Sequence, residues 1–423
     1  MTINSLAGTH VSAVRSRDQV FLEGVGMTLR STVRAVNALT ARWAAALPDR
    51  GTALTAAGLW PLLALLADGA GGAARQELAE AVGVPANDAA SEARGLLAAI
   101  GAMRGVRSAL GLWTHKALPL EPSWLAGIPD RLHEQLSGDA VADRTRLDAW
   151  AAECTDGWIA SMPVGVDADT RLVLACALTV RTDWIRPFNT GGMEAESGPW
   201  QGKDLASLWR VTALLDRVGV AQTEIGPITV LQVLGAQGVD VHLFLGPAQA
   251  APDRVLAAAV RTLDQPRTVL PGNQLPYGEP GPGLTVERVP SLDGDPRLVV
   301  ETVPFTVTAH HDLLENPDVF GLRTATDLTR GHFPGISSEP LAVQAAAQAM
   351  TATFGARGFR SASVTALSLA AAGIPQYRYR VRRINARFDR PFGFLAVHRT
   401  SRLVLNAGWV TEPDALDEEP WED

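Results

Sequence analysis

The fold of this chain is decided near its end, where residues 388–398 read FDRPFGFLAVH and residues 403–410 read LVLNAGWV. Apolar residues alternate through both segments, and a polar stretch from His398 to Arg402 separates them, so the pattern predicts two antiparallel strands joined by a tight turn. Two strands cannot bury their own apolar face in water. The hairpin must therefore complete a core that is built from sequence far upstream.

The composition indicates a large globular protein. The chain has 423 residues, of which 47% are hydrophobic, enough for one large domain or several smaller ones. The formal net charge is −8 and no long basic run occurs, which argues against a nucleic-acid partner, because phosphate binding needs clustered Lys and Arg. The sequence has no run of about 18 uncharged apolar residues, so no membrane span is predicted.

Location and cysteine chemistry follow from local patterns. The N-terminus is polar and lacks the apolar central segment of a secretory signal peptide, so we expect a cytoplasmic location. Cys154 and Cys176 lack metal-ligand and CxxC spacing. Buried free thiols are the simpler interpretation, and a single disulfide is the alternative.

The sequence contains no specific signal for an enzyme or a cofactor. Adjacent His310 and His311 would point to opposite faces of a strand and lack a third ligand, so no metal site is expected. No GxSxG elbow, Walker loop or GxGxxG motif occurs. We therefore predict neither catalytic residues nor a cofactor.

Periodicity predicts mainly helices in the first half of the chain and mainly strands in the second. The predicted helices are 32–47, 59–68, 73–82, 87–104, 121–136 and 145–161. The predicted strands upstream of the hairpin are 107–116, 172–184, 210–216, 229–234, 239–245 and 284–289. Helices followed by strands predict an α+β domain rather than alternating βαβ units.

Five segments resemble serpin sequences, in the order in which that family has them. They are the closing hairpin, ALLADGAGGAARQELAEAVGV (64–84), LDAWAAECTDGWI (147–159), TRLVLACALTVRTDWIRPFN (170–189) and FPGIS (333–337). Chance matches would not keep this order over residues 35–413. The chain thus resembles a divergent, bacterial-type member of the serpin (serine protease inhibitor) family.

The resemblance implies a serpin-like single domain over residues 26–413, with three β-sheets, eight or nine helices and an exposed reactive loop at about 356–380. Residues 1–25 would be an N-terminal extension and 414–423 an acidic tail. In this family a protease attacks a bait bond in the loop, and the cleaved loop inserts as a new strand into the large sheet. The resemblance therefore implies a monomeric inhibitor of serine or cysteine endopeptidases, not an enzyme, with an extracellular location as the alternative.

Alignment with the family places Gly358 at the hinge where insertion begins. The hinge residues are Gly358, Phe359, Arg360, Ser361, Ala362 and Ser363. Alternate side chains of an inserted strand face the core, and Phe359 would be the first of them. A ring in a slot shaped for threonine would be overpacked, at a cost of about 1–3 kcal/mol.

The segment before the hinge carries conflicting signals. The resemblance makes 341–354 a strand, whereas the Ala- and Gln-rich residues 345–352 alone favour a helix. We expect the strand, because tertiary context overrides propensity.

The bait bond is expected within a run of small residues. The candidates are Leu369, Ala370, Ala371, Ala372 and Gly373. Such residues suit a protease with a small or shallow primary pocket, elastase-like or subtilisin-like; the alternative is that they only fill an exposed loop. The basic residues 378–383 leave a trypsin-like target open, although they better fit the exposed face of the next strand.

The family also has a polar cluster beneath the large sheet where that sheet opens. The aligned positions are Thr55, Gly58, Cys176 and Gln348, of which only Thr55 keeps a similar hydroxyl. Half of a buried polar network is worse than an apolar core, so we expect a different packing here. This departure and Phe359 favour a second hypothesis, a non-inhibitory serpin-fold binding or scaffold protein. Trp184 aligns with the family's tryptophan at the top of the sheet, and an ordinary core role fits it equally well.

Overall fold

The computed structural model describes residues 17–47, 51–129, 131–157, 159–265, 268–359 and 378–415. Within these ranges the α-helices are α1 (Arg17–Ala44), α2 (Ala56–Gly69), α3 (Gly72–Val82), α4 (Ala86–Gly101), α5 (Pro122–Gly127), α6 (Ala140–Cys154), α7 (Pro252–Asp264) and α8 (Pro317–Phe320).

The strands fall mostly in the second half of the chain, as periodicity predicted. They are β1 (Thr52–Leu54), β2 (Val106–His115), β3 (His133–Leu136), β4 (Leu172–Val180), β5 (Thr182–Asp183), β6 (Asn189–Glu194), β7 (Asp204–Thr212), β8 (Val218–Thr223), β9 (Gly226–Val233), β10 (Val239–Leu245), β11 (Val269–Pro271), β12 (Leu284–Ser291), β13 (Arg297–Thr302), β14 (Phe305–Asp312), β15 (Ala345–Phe354), β16 (Gly358–Phe359), β17 (Tyr379–Arg387), β18 (Phe392–His398) and β19 (Val404–Val410).

Three sheets organise these strands, which confirms the predicted α+β class with three sheets, and the described part of the chain has eight of the eight or nine predicted helices. The central sheet runs β3-β2-β4-β15-β16-β5, with β14 paired to β15. The hairpin sheet runs β1-β19-β18-β10-β9-β8-β11. The five-stranded sheet runs β12-β17-β13-β7-β6, so that β17 lies between β12 and β13.

The closing hairpin forms as predicted and lies inside the hairpin sheet. β18 pairs antiparallel with β19, β1 covers the free edge of β19, and β10 covers that of β18. The turn closes where the backbone N–H of Arg402 donates to the carbonyl of His398 at 2.8 Å. Both strands are buried almost throughout, so the core that the hairpin needed is supplied by the rest of the chain.

Helix α2 packs between the hairpin sheet and the central sheet. Its sequence AAGLWPLLALLADG is apolar nearly all round, and 13 of its 14 residues are buried, as expected of a helix with protein on every side. Thr55 caps its N-terminus by accepting a hydrogen bond from the backbone N–H of Gly58 at 3.2 Å. The two positions that alignment assigned to the polar cluster thus begin this central helix.

Two predicted helices have different boundaries in the structure. Residues 121–136 hold only the short α5, followed by β3, because 133–136 pair in parallel with the edge of β2. The helix predicted at 145–161 is α6, which begins earlier because the Asp139 side chain accepts from the backbone N–H of Val141 and Ala142, at 3.0 and 3.1 Å.

The segment with conflicting signals is a strand. β15 pairs in parallel with β4 on one side and antiparallel with β14 on the other, and most of its residues are buried. Its alanines suit a strand that is covered on both faces, so tertiary context overrides their helix propensity. Within the described part of the chain, no helix is long and apolar enough to cross a membrane.

Candidate functional site at the seam of the central sheet

The line between β4 and β15, here called the seam, changes character along its length. At one end, 173–177 of β4 pair in parallel with 345–349 of β15. Beyond this ladder the two strands no longer pair, and β16 lies in the interval. Phe359 of β16 pairs antiparallel with Phe354 of β15 on one side and with Thr182 of β5 on the other. The described part of the predicted hinge is therefore already a short strand within the central sheet.

The structure explains why glycine stands at position 358. A Cβ atom at Gly358 would lie 2.5 Å from the carbonyl oxygen of Thr182 and 3.1 Å from the Cα of Asp183. Both are backbone atoms that a flexible side chain cannot relieve. A tight turn precedes this position, closed where the N–H of Gly355 donates to the carbonyl of Gly358 at 2.9 Å. Only glycine fits this close approach of two backbones.

Phe359 is buried without overpacking, which corrects the expectation from the sequence. Its ring is 1% exposed and lies 6.1 Å from the ring of Phe394 in the closing hairpin. Phe305 packs 5.0 Å from Phe394 and 5.3 Å from Phe354, so aromatic rings line the slot. The slot is shaped for a ring rather than for threonine. The hinge residue and the hairpin that decides the fold share one aromatic cluster.

Trp184 holds the turn that leads into the hinge. Its backbone N–H donates to the carbonyl of Arg357 at 2.8 Å, and its indole Nε1–H donates to the carbonyl of Gly355 at 2.9 Å. The indole is almost fully buried and packs 4.9 Å from the ring of Phe354. The residue thus lies at the end of the sheet that the alignment assigned to it.

Two of the aligned cluster positions, Thr55 and Cys176, contact the amide of Gln348, and Gly58 donates its N–H to Oγ1 of Thr55. Its Nε2 donates to the carbonyl of Thr55 at 2.9 Å, and its Oε1 accepts from the N–H of Thr55 at 2.9 Å. The same Nε2 lies 3.1 Å from Sγ of Cys176, across the seam on β4. The expected loss of a polar network is therefore corrected: a different set of side chains builds one in which the Gln348 amide is fully hydrogen-bonded.

Burial governs the chemistry of the two thiols, which are both free. Burial raises the pKa of Cys176 to about 12, and the hydrogen bond from Gln348 opposes this shift only in part. Burial also raises the pKa of the half-buried Cys154, with neighbouring glutamates adding to the effect. Neither thiol has the lowered pKa of a reactive cysteine.

The outer face of the seam carries small side chains beneath α6. Ala175 and Ala177 of β4 and Ala347 and Ala349 of β15 are buried there. They form a second core with Trp113 and with apolar residues of α6. Apolar residues of α6 therefore share a core with one face of the seam, while Gln348 and Cys176 lie on the other face.

Other predicted positions are placed as follows. The bait candidates 369–373 and the hinge residues 360–363 lie outside the described ranges. The basic residues after the loop belong to β17 or directly precede it, which fits the strand interpretation. His310 is exposed while His311 is half-buried, with its Nε2 2.9 Å from the carbonyl of Ala53, so the two point to opposite faces. Nowhere in the described ranges do three or more metal-binding side chains cluster.

Sequence comparisons connect this architecture with known proteins. A family model described as Serpin (serine protease inhibitor) matches residues 34–197. A curated relative, a putative serpin-Z8 of Oryza sativa subsp. japonica, is 28% identical over 172 residues. This match covers 37% of the present chain and 40% of the relative, so the chain is matched to less than half of that protein's length.

Solved structures share the fold over nearly the whole chain. Native protease nexin-1 with heparin has a TM-score of 0.68 at 17% identity and covers 92% of this chain and 99% of its own. Human thyroxine-binding globulin, complexed with thyroxine, has a TM-score of 0.69 at 17% identity, with 91% and 99% covered. A serpin from the trematode Schistosoma haematobium has a TM-score of 0.65 at 13% identity, with 92% and 100% covered. At these identities the likeness establishes the fold.

The fold and the family match define a class of protein, a single-domain serpin scaffold. The chain is similar to serpins in sequence over residues 34–197 and in fold over nearly its whole length. The structural neighbours include thyroxine-binding globulin as well as protease nexin-1.

Proposed function

We propose that this chain inhibits serine or cysteine endopeptidases as a suicide substrate, whose cleaved loop inserts between β4 and β15. One observation carries the proposal: Gly358 and Phe359 occupy that interval as a strand paired on both sides. The direction of β16 is the direction that an inserted strand needs, because it runs antiparallel to both neighbours. Extending β16 along the seam would therefore require no change of register at its first residue.

Insertion would exchange one ladder for two. The seam is held by five parallel register pairs, from 345–349 to 173–177. A strand entering here would replace them with antiparallel ladders on both of its edges, and antiparallel pairing is the more stable per residue. The alanines under α6 leave few side-chain contacts to separate on that face. The gain of a second, antiparallel ladder would drive insertion, and it becomes available only after cleavage frees the loop to enter the sheet.

The alternation of side chains along the hinge also supports insertion. Phe359 faces the core, so Ser361 and Ser363 would face it too, and both are small enough to pass beneath the sheet. Arg360 and Ala362 would face the opposite side. The hinge therefore has one large core-facing residue, for which the aromatic cluster provides space, followed by small ones.

The proposed target is a protease with a small or shallow primary pocket, because the bait candidates 369–373 are mostly alanine. Titration with an elastase-like and a subtilisin-like protease should yield a complex that survives SDS. Loop cleavage by a non-target protease should raise the melting temperature by roughly tens of degrees, because a strand joins the central sheet. No complex and no rise on cleavage would overturn the proposal.

A matched pair of variants tests strand insertion itself. Ser363→Arg would place a charge on the core-facing side of the inserted strand, whereas Ala362→Arg would place it on the opposite side. We expect Ser363→Arg to be cleaved as a substrate without forming the stable complex, and Ala362→Arg to inhibit like the wild type. Equal behaviour of the two variants would contradict insertion in this register.

A second candidate function is that of a non-inhibitory serpin-fold binding or scaffold protein. Gln348 favours it, because its amide ties β15 to Thr55 and reaches Cys176 across the seam. A fully hydrogen-bonded buried amide resists separation of the two strands. On this alternative the cleaved protein would melt at the temperature of the intact one.

A further inference from the structure

The slot that seats the hinge has one wall of only two residues, β5. Thr182 and Asp183 pair with Phe359 and Gly358, yet β5 follows the end of β4 after a one-residue interruption. A two-residue strand has too few ladder bonds to hold its own position. Hydrogen bonds on its other side, where the turn between β9 and β10 lies, add to the hold that its connection to β4 provides.

Gln237 in this turn binds both residues of β5. Its Oε1 accepts from Oγ1 of Thr182 at 3.0 Å and from the N–H of Asp183 at 2.8 Å, while its Nε2 donates to Oδ2 of Asp183 at 3.1 Å. The N–H of Ala236 adds a bond to the carbonyl of Asp183 at 2.8 Å. One side chain thus satisfies three polar groups of the slot wall.

The turn itself is fixed by a buried carboxylate. The side chain of Asp240 is 1% exposed, and its Oδ1 accepts from the N–H of Gly235 at 3.1 Å. A Cβ at Gly235 would lie 2.1 Å from Oγ1 of Thr182, so the turn approaches the wall as closely as glycine allows. Gln232 also donates to Asp240, at 3.1 Å.

Arg399, in the turn of the closing hairpin, holds Asp240 from the surface. Its guanidinium contacts both carboxylate oxygens, at 2.6 Å to Oδ1 and 3.0 Å to Oδ2, and donates to the carbonyl of Gly235 at 2.6 Å. Its backbone N–H donates to the carbonyl of Gly238 at 2.8 Å. A bidentate contact of this kind fixes orientation as well as charge.

We propose that Gln237, Asp240 and Arg399 form a clamp that positions the β5 wall and thereby seats the hinge in the central sheet. The clamp positions the hinge in the intact, uncleaved protein. Faster insertion of the loop after cleavage would follow from this positioning, and that consequence rests on the proposed function. The three are positioning residues, because they contact β5 and the turn rather than the bait loop.

Hydrogen exchange of the intact full chain tests the clamp directly. The N–H groups of Trp184 and Phe188 donate to carbonyls of the turn that leads into the hinge, at residues 357 and 356. In Gln237→Ala we expect exchange of peptides spanning 178–188 and 350–359 to rise by about tenfold while the melting temperature stays near that of the wild type, as for local opening. Arg399→Gln should produce the same rise in exchange but also lower the melting temperature, because it leaves the buried Asp240 carboxylate without its cation, and Arg399→Lys should restore part of the protection.

Two controls make the outcome specific. Gln76→Ala removes an exposed glutamine on α3, and Arg146→Gln removes an exposed ion pair with Glu134. Neither should change exchange at the hinge. Wild-type exchange in both Gln237→Ala and Arg399→Gln would overturn the clamp. If the wild type forms no stable protease complex, the proposed function fails, and the exchange data still decide the clamp. If it does, Gln237→Ala should need more inhibitor per protease, by about threefold or more, than Gln76→Ala.

Discussion

The side-chain amide of Gln348 and the backbone of Thr55 are joined by two hydrogen bonds of 2.9 Å each, one in each direction. This reciprocal pair links β15 of the central sheet to the residue that caps α2. Both partners are buried, and the amide also contacts Cys176 on the neighbouring strand. The pair is therefore the point where the seam is connected to the core beneath it.

Gln348→Leu tests how much this pair of hydrogen bonds contributes to the free energy of unfolding. It leaves the N–H and the carbonyl of Thr55 buried without these partners, at about 1–3 kcal/mol each, and leucine burial offsets part of the loss. We expect the free energy of unfolding to fall by about 2–4 kcal/mol in urea titration. Gln76→Leu, at an exposed position on α3, should change it by less than about 0.5 kcal/mol. Equal effects of the two variants would show that the pair adds nothing to stability.

Gly358→Ala should drive the hinge out of its slot. The added methyl would meet the carbonyl oxygen of Thr182 at 2.5 Å, a contact that requires the backbone to shift. We expect faster hydrogen exchange at 350–359 and faster cleavage of the loop by a non-target protease. Gly95→Ala is the control, because no atom lies within 4 Å of its added Cβ. In the middle of α4 it should stabilise the protein by about 0.5–1 kcal/mol.

Phe359→Thr should weaken the seating of the hinge rather than relieve it. The ring packs in the aromatic cluster, and deleting a buried ring costs about 3–5 kcal/mol where the site cannot open. The hinge can leave its slot, so the loss in unfolding free energy should be smaller than that of Phe354→Ala in β15. Urea titration of both variants decides this, and inhibition by Phe359→Thr should need more inhibitor per protease. Improved inhibition would instead support the overpacking expected from the sequence.

His242 should make stability depend on pH. Burial lowers its pKa to about 4, nearby Arg402 adds to the shift, and Asp240 opposes it. Because the folded pKa lies below the unfolded value, this stability is complete above about pH 6.5 and declines as the pH falls towards 4.

The measurement compares urea titrations at pH 7 and pH 4. His242→Phe should lose about 3 kcal/mol less between the two pH values than the wild type does. His310→Gln, which changes an exposed histidine, should follow the wild type. An unchanged pH dependence in His242→Phe would mean that the imidazole is already protonated in the fold, or equally solvated in both states.

The sequence predicted the scaffold better than the slot. Alternation in 388–398 and 403–410 identified the hairpin because each strand buries a regular face, which leaves a period of two in the sequence. The strand at 345–354 needed the family resemblance, since its alanines favour a helix when considered alone. The helix expected at 121–136 failed because 133–136 complete the edge of the central sheet, a long-range pairing that local propensity cannot register.

The neighbours of Phe359 and Gln348 could not be predicted for a similar reason. Phe359 looked too large because the threonine of other family members set the comparison. Its true neighbours, Phe305 and Phe394, are far away in the chain and meet it only in the folded core. Likewise, alignment showed Gln348 only as a replacement for the family's cluster histidine, and its hydrogen bonds to the backbone of Thr55 form only in the folded chain. Side-chain identity at these positions has meaning only together with its partners.

The position of β17 has a mechanical consequence. The segment after Phe359 ends on β17, which is paired along one edge with β12 over eight register positions and along the other with β13 over five. A pull along the direction of β17 loads both ladders in shear, so that many hydrogen bonds must fail together instead of unzipping one after another. The far end of that segment is therefore fixed in the five-stranded sheet, and a strand that moves at Gly358 cannot draw β17 out of it without breaking both ladders.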